Sequence, residues 1–304
     1  MSPSLASRHS WFEATARKRI AGLLDPGSFG EILPPADSSP SPHLAKLDLP
    51  GAFDDGIVIG CGQLEKQPIF IAAQEGQFMG GAVGEIHGAK LVGLLKRAAR
   101  EKPVAVLLLI DSGGVRLHEA NAGLIAISEI MRAVLATRAA GVPVLALIGG
   151  SCGAFGGMGI VAKLCSAILI SEEGRLALSG PEVIETVAGV EEFDSKDRAL
   201  VWRVTGGKHR YLMGDCAMLV EDDVSAFRAA ATAFLADWQE PAPSVALLRA
   251  TQRQLENRLA AYGAYRDGLQ IWAALGVKNP ESVPLLDRDS LVALKDRFAI
   301  AWGN

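Results

Sequence analysis

The residues best suited to chemistry in this chain are glycines. Two clusters, Asp111-Ser112-Gly113-Gly114-Val115-Arg116 and Gly149-Gly150-Ser151-Cys152-Gly153-Ala154-Phe155-Gly156-Gly157, each follow an apolar run and precede a helical pattern. A glycine-rich turn entering a helix leaves backbone N–H groups unpaired, and such a place binds negative charge. If the runs before them are neighbouring strands, both turns lie at the carboxyl edge of one sheet and can converge on one carbonyl oxygen. The expected donors are Gly113 and Gly114 on the first loop and Gly153, Ala154, Gly156 and Gly157 on the second. One well-placed donor stabilises a developing oxyanion by roughly 3 kcal/mol. The plainer reading, that these glycines let helices approach the sheet, weighs equally on spacing alone. A third cluster, Phe78-Met79-Gly80-Gly81-Ala82-Val83-Gly84, also precedes a helix. Packing is the stronger reading there, with Gly80 and Gly81 kept as candidate cofactor contacts.

Charged and nucleophilic side chains near these loops carry weaker signals. Arg116 follows the first loop and could hold a phosphate or carboxylate bidentately, although a salt bridge to Glu119 competes with equal weight. Arg17 and Arg19 form a basic N-terminal segment that could reach phosphates; a solvated helix face is the commoner explanation. His118 is a candidate proton donor or an ordinary hydrogen-bonded histidine, while His87 and His209 read as structural or surface residues. Cys152 has no histidine in a dyad pattern and reads as a small buried thiol.

These loops need elements to position them. Gly56–Gly62 and Pro68–Gln74 are expected to pair as antiparallel strands, followed by a helix over Ala82–Arg100. Val104–Ile110 and Val142–Ile148 are apolar at every position, the signature of strands buried on both faces of a mostly parallel sheet. Between them Leu124, Ile127, Ile130, Met131, Val134 and Leu135 recur at helical spacing. A further helix reaches Leu164, short strands are expected at Ala167–Ser171 and Leu176–Leu178, and a helix starts at Ser179-Gly180-Pro181-Glu182, with Pro in its first turn. Beyond Asp222 the chain is mostly helical. Alternating strand, loop and helix make an α/β fold. Residues 1–50 read as a helical lead-in and an exposed connector rich in Pro34, Pro35, Pro40, Pro42 and Pro50, residues 51–240 as the main domain, and 241–304 as a helical extension.

The chain has 304 residues, 49 % apolar, and Lys and Arg number 30 against 34 Asp and Glu, a net charge of −4 without a basic block. That argues against a nucleic-acid partner. Cys61, Cys152, Cys165 and Cys216 are scattered without a C-x-x-C pair, so neither a disulfide framework nor a metal site is expected, and the cytoplasm is the expected compartment. Ala139–Ala162 carries no charge and is long enough to span a bilayer. Its glycines and Pro143 oppose one long helix, so a strand, a loop and a short helix are expected, and no membrane span. Met1–Ile20 lacks the continuous apolar core of a signal peptide.

Five ordered motifs now resemble a known family. Arg17-Lys18-Arg19-Ile20 with Leu24-Asp25-Pro26-Gly27-Ser28-Phe29, then Phe78-Met79-Gly80-Gly81, Ser112-Gly113-Gly114-Val115-Arg116-Leu117-His118-Glu119 and Gly180-Pro181-Glu182-Val183-Ile184-Glu185, resemble acyl-CoA carboxyltransferases over about residues 12–225. With Ser171-Glu172-Glu173-Gly174-Arg175-Leu176, the chain is most similar to the β subunits of biotin-independent malonate decarboxylases. The zinc ribbon of the acetyl-CoA carboxylase relatives is missing, and the second glycine loop departs from their Thr-Gly-Gly pattern. The resemblance implies a crotonase/Clp-protease-like spiral of ββα units with a helical C-terminal region. It also implies a carboxyltransferase-like γ subunit as partner and an acyl carrier protein whose coenzyme-A-like prosthetic group carries malonate as a thioester. No cofactor is then bound by this chain itself. Decarboxylation would leave an enolate and then an acetyl thioester, chemistry that needs oxyanion donors more than a nucleophile. A carboxyltransferase subunit of a biotin-dependent acyl-CoA carboxylase or decarboxylase is the alternative. A Clp-type serine protease is disfavoured because no histidine separates Ser151 from His209. An enoyl-CoA hydratase is disfavoured because no acid falls between Gly149 and Glu172.

Overall fold

In the computed structural model, which describes residues 9–37, 41–49, 51 and 54–301, the apolar runs assemble into one seven-stranded sheet. The chain order is α1 (Ala16–Leu23), β1 (Gly30–Ile32), α2 (Pro42–Lys46), β2 (Ile57–Leu64), β3 (Gln67–Gln74), α3 (Glu85–Glu101), β4 (Ala105–Ile110), α4 (Ala122–Ala139), β5 (Val144–Ile148), α5 (Gly156–Leu164) and β6 (Ala167–Ser171). It continues with α6 (Pro181–Ala188), α7 (Arg198–Thr205), α8 (Gly207–Leu212), β7 (Met218–Val220), α9 (Val224–Asp237), α10 (Val245–Tyr262), α11 (Gly268–Ala274) and α12 (Arg288–Ala301). Strands β1 to β7 lie in sequence order. The first three are antiparallel, and β3 to β7 run parallel. The β2–β3 hairpin turns at Glu65 and Lys66, both at positive φ, and the Asp25 carboxylate accepts both of their N–H groups.

The unbroken hydrophobicity of β4 and β5 follows from two cores. Val106, Leu108, Ile110, Val144, Ala146 and Ile148 face the layer containing α3, α4 and α5. Ala105, Leu107, Leu109, Leu145 and Leu147 face Trp11 and Ile20 near the N-terminus and Phe227 of α9. A strand with apolar cover on both sides has no position for a polar residue, so polar chemistry is confined to the strand ends.

A second, much reduced β layer lies between each strand and its helix. It consists of single parallel bridges, Val83 to Val115, Ser112 to Ala154 and Ala154 to Leu176. Each turn of chain is therefore a long strand, a bridge-length strand and a helix, the ββα unit with its second strand shortened almost to nothing. The strand expected at Leu176–Leu178 is one of these bridges, because only Leu176 finds a parallel partner.

Other expectations also shift. Helix α4 forms over the expected span, but Leu124 and Leu135 face outward, and Gly123, Ala126, Ala133 and Thr137 join Ile127, Ile130 and Val134 inside. The proline-rich connector contains α2, capped by the Ser41 hydroxyl and anchored by buried Leu44; Pro40 and Pro50 lie outside the described residues, as do residues 1–8 of the lead-in. The boundaries at 50 and 240 do not separate cores, since Trp11, Ile20 and Leu23 before them and Trp272, Val283 and Leu291 after them pack into the two cores of the sheet. The uncharged stretch 139–162 divides among the end of α4, β5, a loop and α5. Among the described residues no helix is long and apolar enough to cross a membrane.

His87 on α3 and His209 on α8 are both inside the molecule. Burial holds each imidazole neutral, lowering it from 6.5 to about 3. The unfolded chain takes up these protons near 6.5 and the folded chain near 3. Their contribution to stability is therefore complete above 6.5 and is lost as pH falls from there towards 3. Each histidine should remove about 1.4 kcal/mol of stability per pH unit across that window. Urea unfolding of His209→Gln at several pH values between 7 and 4.5 should show a shallower loss than the parent; identical slopes would mean that His209 takes up its proton in the fold as readily as in the unfolded chain.

Candidate functional site

The two principal glycine loops do meet. Ser112 donates its N–H to Gly153 O at 2.7 Å, and Phe155 N–H returns to Ser112 O at 3.0 Å. Gly156, at φ +56°, lies against Gly114, so that a methyl at 156 would stand 3.2 Å from the Gly114 Cα. Beneath them α4 supplies Ile127, 2.7 Å from where a Gly157 side chain would begin. The loops are thus laced together by the reduced β layer, and close packing explains part of their glycine content.

Most of the expected donors are spent inside this lacing. Gly113 N–H goes to Gly80 O at 2.8 Å, Ala154 N–H to Arg175 O at 2.8 Å, Gly156 N–H to Leu178 O at 2.8 Å and Gly153 N–H to Gly150 O at 3.1 Å. Gly114 N–H meets the Ser112 hydroxyl at 3.2 Å. Of the six expected donors Gly157 remains. It is the second residue of α5 and Met158 is the third, positions where a helix offers no internal acceptor, and among the described residues neither amide has a hydrogen-bond partner. On the first loop Val115 is in the same condition: its bridge partner Val83 bonds to Gly114 O and, through its own carbonyl, to Arg116 N–H, leaving the Val115 amide turned away. Val115 and Met158 carry no sequence signal as donors, because their availability is set by which neighbours are already paired.

The arginines correct the sequence reading more sharply. Arg19 is buried, and its guanidinium donates to Asp111 Oδ2 at 2.9 Å and to Trp11 O at 2.9 Å. Arg116 is buried between Asp55 Oδ1 at 2.9 Å and Glu119 Oε1 at 3.1 Å, with a further bond to Asp55 O at 2.8 Å. Both are paired inside the protein and present nothing to a phosphate. Arg17 pairs with Glu31 at 2.8 Å and with Asp54 at 3.3 Å while half exposed. Gly80 and Gly81 are likewise structural: Gly80 O receives the Gly113 amide, and a side chain on Gly81 would collide with the Asp111 carbonyl.

Asp111 is the residue the sequence left unremarked. It directly follows β4, and its Oδ1 accepts the Cys152 N–H of the other loop at 2.7 Å while Oδ2 takes Arg19. Its own amide bonds to Gln74 Oε1 at 3.2 Å. An acid therefore does reach the second loop, delivered by the neighbouring strand rather than by nearby sequence. The Cys152 thiol donates to Gly76 O at 3.3 Å, and burial together with the Asp111 charge pushes its pKa up, which is the reverse of what a nucleophilic thiolate needs. His118 is exposed in a 3₁₀ turn after the first loop. Among the described residues no cluster of His, Cys, Asp and Glu could hold a metal ion.

Comparison with known proteins places this geometry in a family. The carboxyl transferase domain matches residues 8–259. The malonyl-S-ACP:biotin-protein carboxyltransferase MADC of Malonomonas rubra is 42 % identical over 310 residues, 95 % of this chain and 96 % of that protein. The propionyl-CoA carboxylase beta chain of Saccharopolyspora erythraea is 30 % identical over 226 residues, 74 % of this chain but 39 % of its own length. A chain of the Pseudomonas malonate decarboxylase hetero-tetramer solved with malonate is 41 % identical, with a TM-score of 0.79 over 86 % of this chain and 95 % of that one. The Pseudomonas MdcD-MdcE hetero-dimer gives a TM-score of 0.66 at 39 % identity, over 84 % of this chain and 100 % of that one. With the 12S transcarboxylase, at a TM-score of 0.62 and 25 % identity, these neighbours bear out the crotonase-type α/β fold. The chain belongs to the malonate decarboxylase and carboxyltransferase family of enzymes built on the carboxyl transferase domain.

Proposed function

We propose that this chain is the β-type subunit of a biotin-independent malonate decarboxylase, converting malonyl thioester on an acyl carrier protein to acetyl thioester and CO2. The observation that carries the reading is the pair of unspent donors on touching loops, Val115 on one and Gly157 on the other, both partly exposed. In the reaction the C–C bond to the carboxylate breaks, its electron pair moves into the thioester, and the oxygen becomes an enolate anion. Carbon then takes a proton and the thioester is left as acetyl. Amides at the start of α5 stabilise that oxygen through hydrogen bonds and the positive end of the helix dipole, and the first turn of α5 carries no acid to oppose it. His118, exposed beside the first loop, is the candidate proton source. The carrier's coenzyme-A-like group delivers the thioester, and its phosphates have to be held elsewhere than by Arg19 or Arg116, both of which are enclosed.

A second reading rests on the Malonomonas rubra relative, which is named for passing the carboxyl group to a biotin protein. The enolate is the same, and only the fate of the carboxyl group differs. Carbon dioxide release by the purified complex that survives addition of avidin favours the first reading; release that requires a biotinylated acceptor favours the second.

Replacing Gly157 with Val drives a side chain into Ile127 and should displace the 157 amide, lowering kcat by roughly 10²–10³, as for one lost oxyanion donor, while Cys152→Ala should retain most activity. The comparison is made on variants with unchanged circular dichroism and partner binding. Inactive Cys152 variants beside normal Gly157 variants would point to covalent catalysis and sink the amide reading.

A partner subunit is the second expectation. Leu117 is 82 % and Val187 84 % exposed, and Leu124, Leu178 and Val183 are exposed as well; Leu117 follows the first loop, Leu178 O accepts the Gly156 amide of the second, and Val183 and Val187 lie on α6 just after Leu178. An enolate held by amides needs water excluded, and a second carboxyltransferase-like chain seated on these side chains would exclude it. The isolated chain should therefore be inactive, and Val187→Asp should weaken co-purification with the second chain. Full turnover of malonyl thioester by the homogeneous chain alone would refute this.

A further inference from the structure

We propose that the Arg19–Asp111 pair is a positioning device for the candidate site, fixing the second donor loop against the first; this rests on the function proposed above. The pair lies inside the protein, with side-chain exposures of 2 % and 3 %, so it contacts no substrate. Each Asp111 oxygen has one task, Oδ1 the Cys152 amide and Oδ2 the Arg19 guanidinium. The space around the carboxylate is filled to contact: side chains on Gly76 or Gly150 would run into it, and one on Gly81 would strike its carbonyl. Arg19 is fixed in turn by Trp11 O, and it lies over the Trp11 ring at 5.5 Å. A buried ion pair is a poor way to gain stability, since apolar residues of similar volume often do as well. What it gives here is direction. A carboxylate can accept at both oxygens, so one side chain ties helix α1, the end of β4 and the loop before α5 at a single point, five residues before Gly157.

The charge state matters to this arrangement. A protonated carboxyl keeps one oxygen as a donor and loses an acceptor, so either the Cys152 amide or the guanidinium is released. Burial and the nearby Glu75 at the end of β3 favour the proton, while Arg19 of α1 and the Cys152 amide oppose it. The Cys152 thiol and the Arg175 guanidinium also feel this carboxylate.

The test uses the full chain assembled with its partner subunit, with turnover of malonyl thioester followed against pH for Arg19→Leu, Arg19→Lys, Asp111→Asn and the Arg19→Leu/Asp111→Asn double variant. Misplacing a donor by about 1 Å costs on the order of 10²-fold, so Arg19→Leu should lose kcat by about that factor with KM within about twofold. Its acid limb should move to higher pH. Arg19→Lys should hold the limb in place. The double variant should abolish the shift, because the carboxamide oxygen of the Asp111→Asn side chain still accepts the Cys152 amide and the group cannot titrate. A loss of equal size at every pH that Asp111→Asn fails to relieve would reduce the pair to a structural brace. A rise in KM with kcat unchanged would make Arg19 a ligand contact; either result overturns the proposal. Hydrogen exchange of residues 149–157 in the full chain judges the pair without any substrate. Arg19→Leu should accelerate exchange there and leave β4 and β5 protected, and unchanged exchange overturns the proposal even if the parent complex proves to act on another thioester.

Discussion

Asp111 is the point on which the two-loop arrangement depends. A carboxylate just past the end of a fully apolar strand is costly to desolvate, and it is tolerated because each of its oxygens has a donor. Arg19 supplies the counter-charge and Cys152 an amide. The glycines at 76 and 150 are then required by its volume, while Gly81, at φ +65°, faces the Asp111 main-chain carbonyl. The same constraint explains why the N-terminal segment cannot be a detached arm. Arg19 has to lie under the sheet edge, and Trp11, Ile20 and Leu23 follow it into the core.

A related economy governs the backbone. A glycine-rich loop that held all its amides open for a ligand would be an unpaired chain, and buried amides do not remain unpaired. Here the loops are made rigid by spending most of their N–H groups on one another and on the Gly80 and Leu178 carbonyls. Among the described residues, the amides that a parallel bridge and a helix start leave without a partner are those of Val115, Gly157 and Met158, and of these Val115 and Gly157 are partly exposed. Rigidity and donor capacity come from the same hydrogen-bond network, which suits chemistry that relies on donors fixed in advance of the charge they meet.

Arg116 shows the same logic at the end of the first loop. Between Asp55 and Glu119 it ties the start of β2 to the 3₁₀ turn after the first loop, and the Glu119 carboxylate also accepts the Glu85 amide that opens α3. Burial pushes the Asp55 carboxyl up while Arg116 pulls it back. Around the candidate site, then, the side chains of Arg19 and Arg116 serve as internal ties.

The sequence alone determined the layers of this protein. Apolar residues at every position of 105–110 and 144–148 dictate strands covered on both faces, and the glycine clusters after them mark where each strand turns into its helix. Pro181 behind Gly180 marked the start of α6, and the ordered motifs carried the family. Tertiary structure alone decided which groups are available to a ligand. Whether an amide is free depends on where a distant carbonyl falls, as Arg175 O does for Ala154 and Gly80 O for Gly113. Whether an arginine faces solvent depends on a carboxylate far along the chain, as Asp111 does for Arg19. Local pattern reports periodicity and turn chemistry within a few residues; pairing across the sheet is set by the register of β3 to β6, and no short stretch of sequence encodes it.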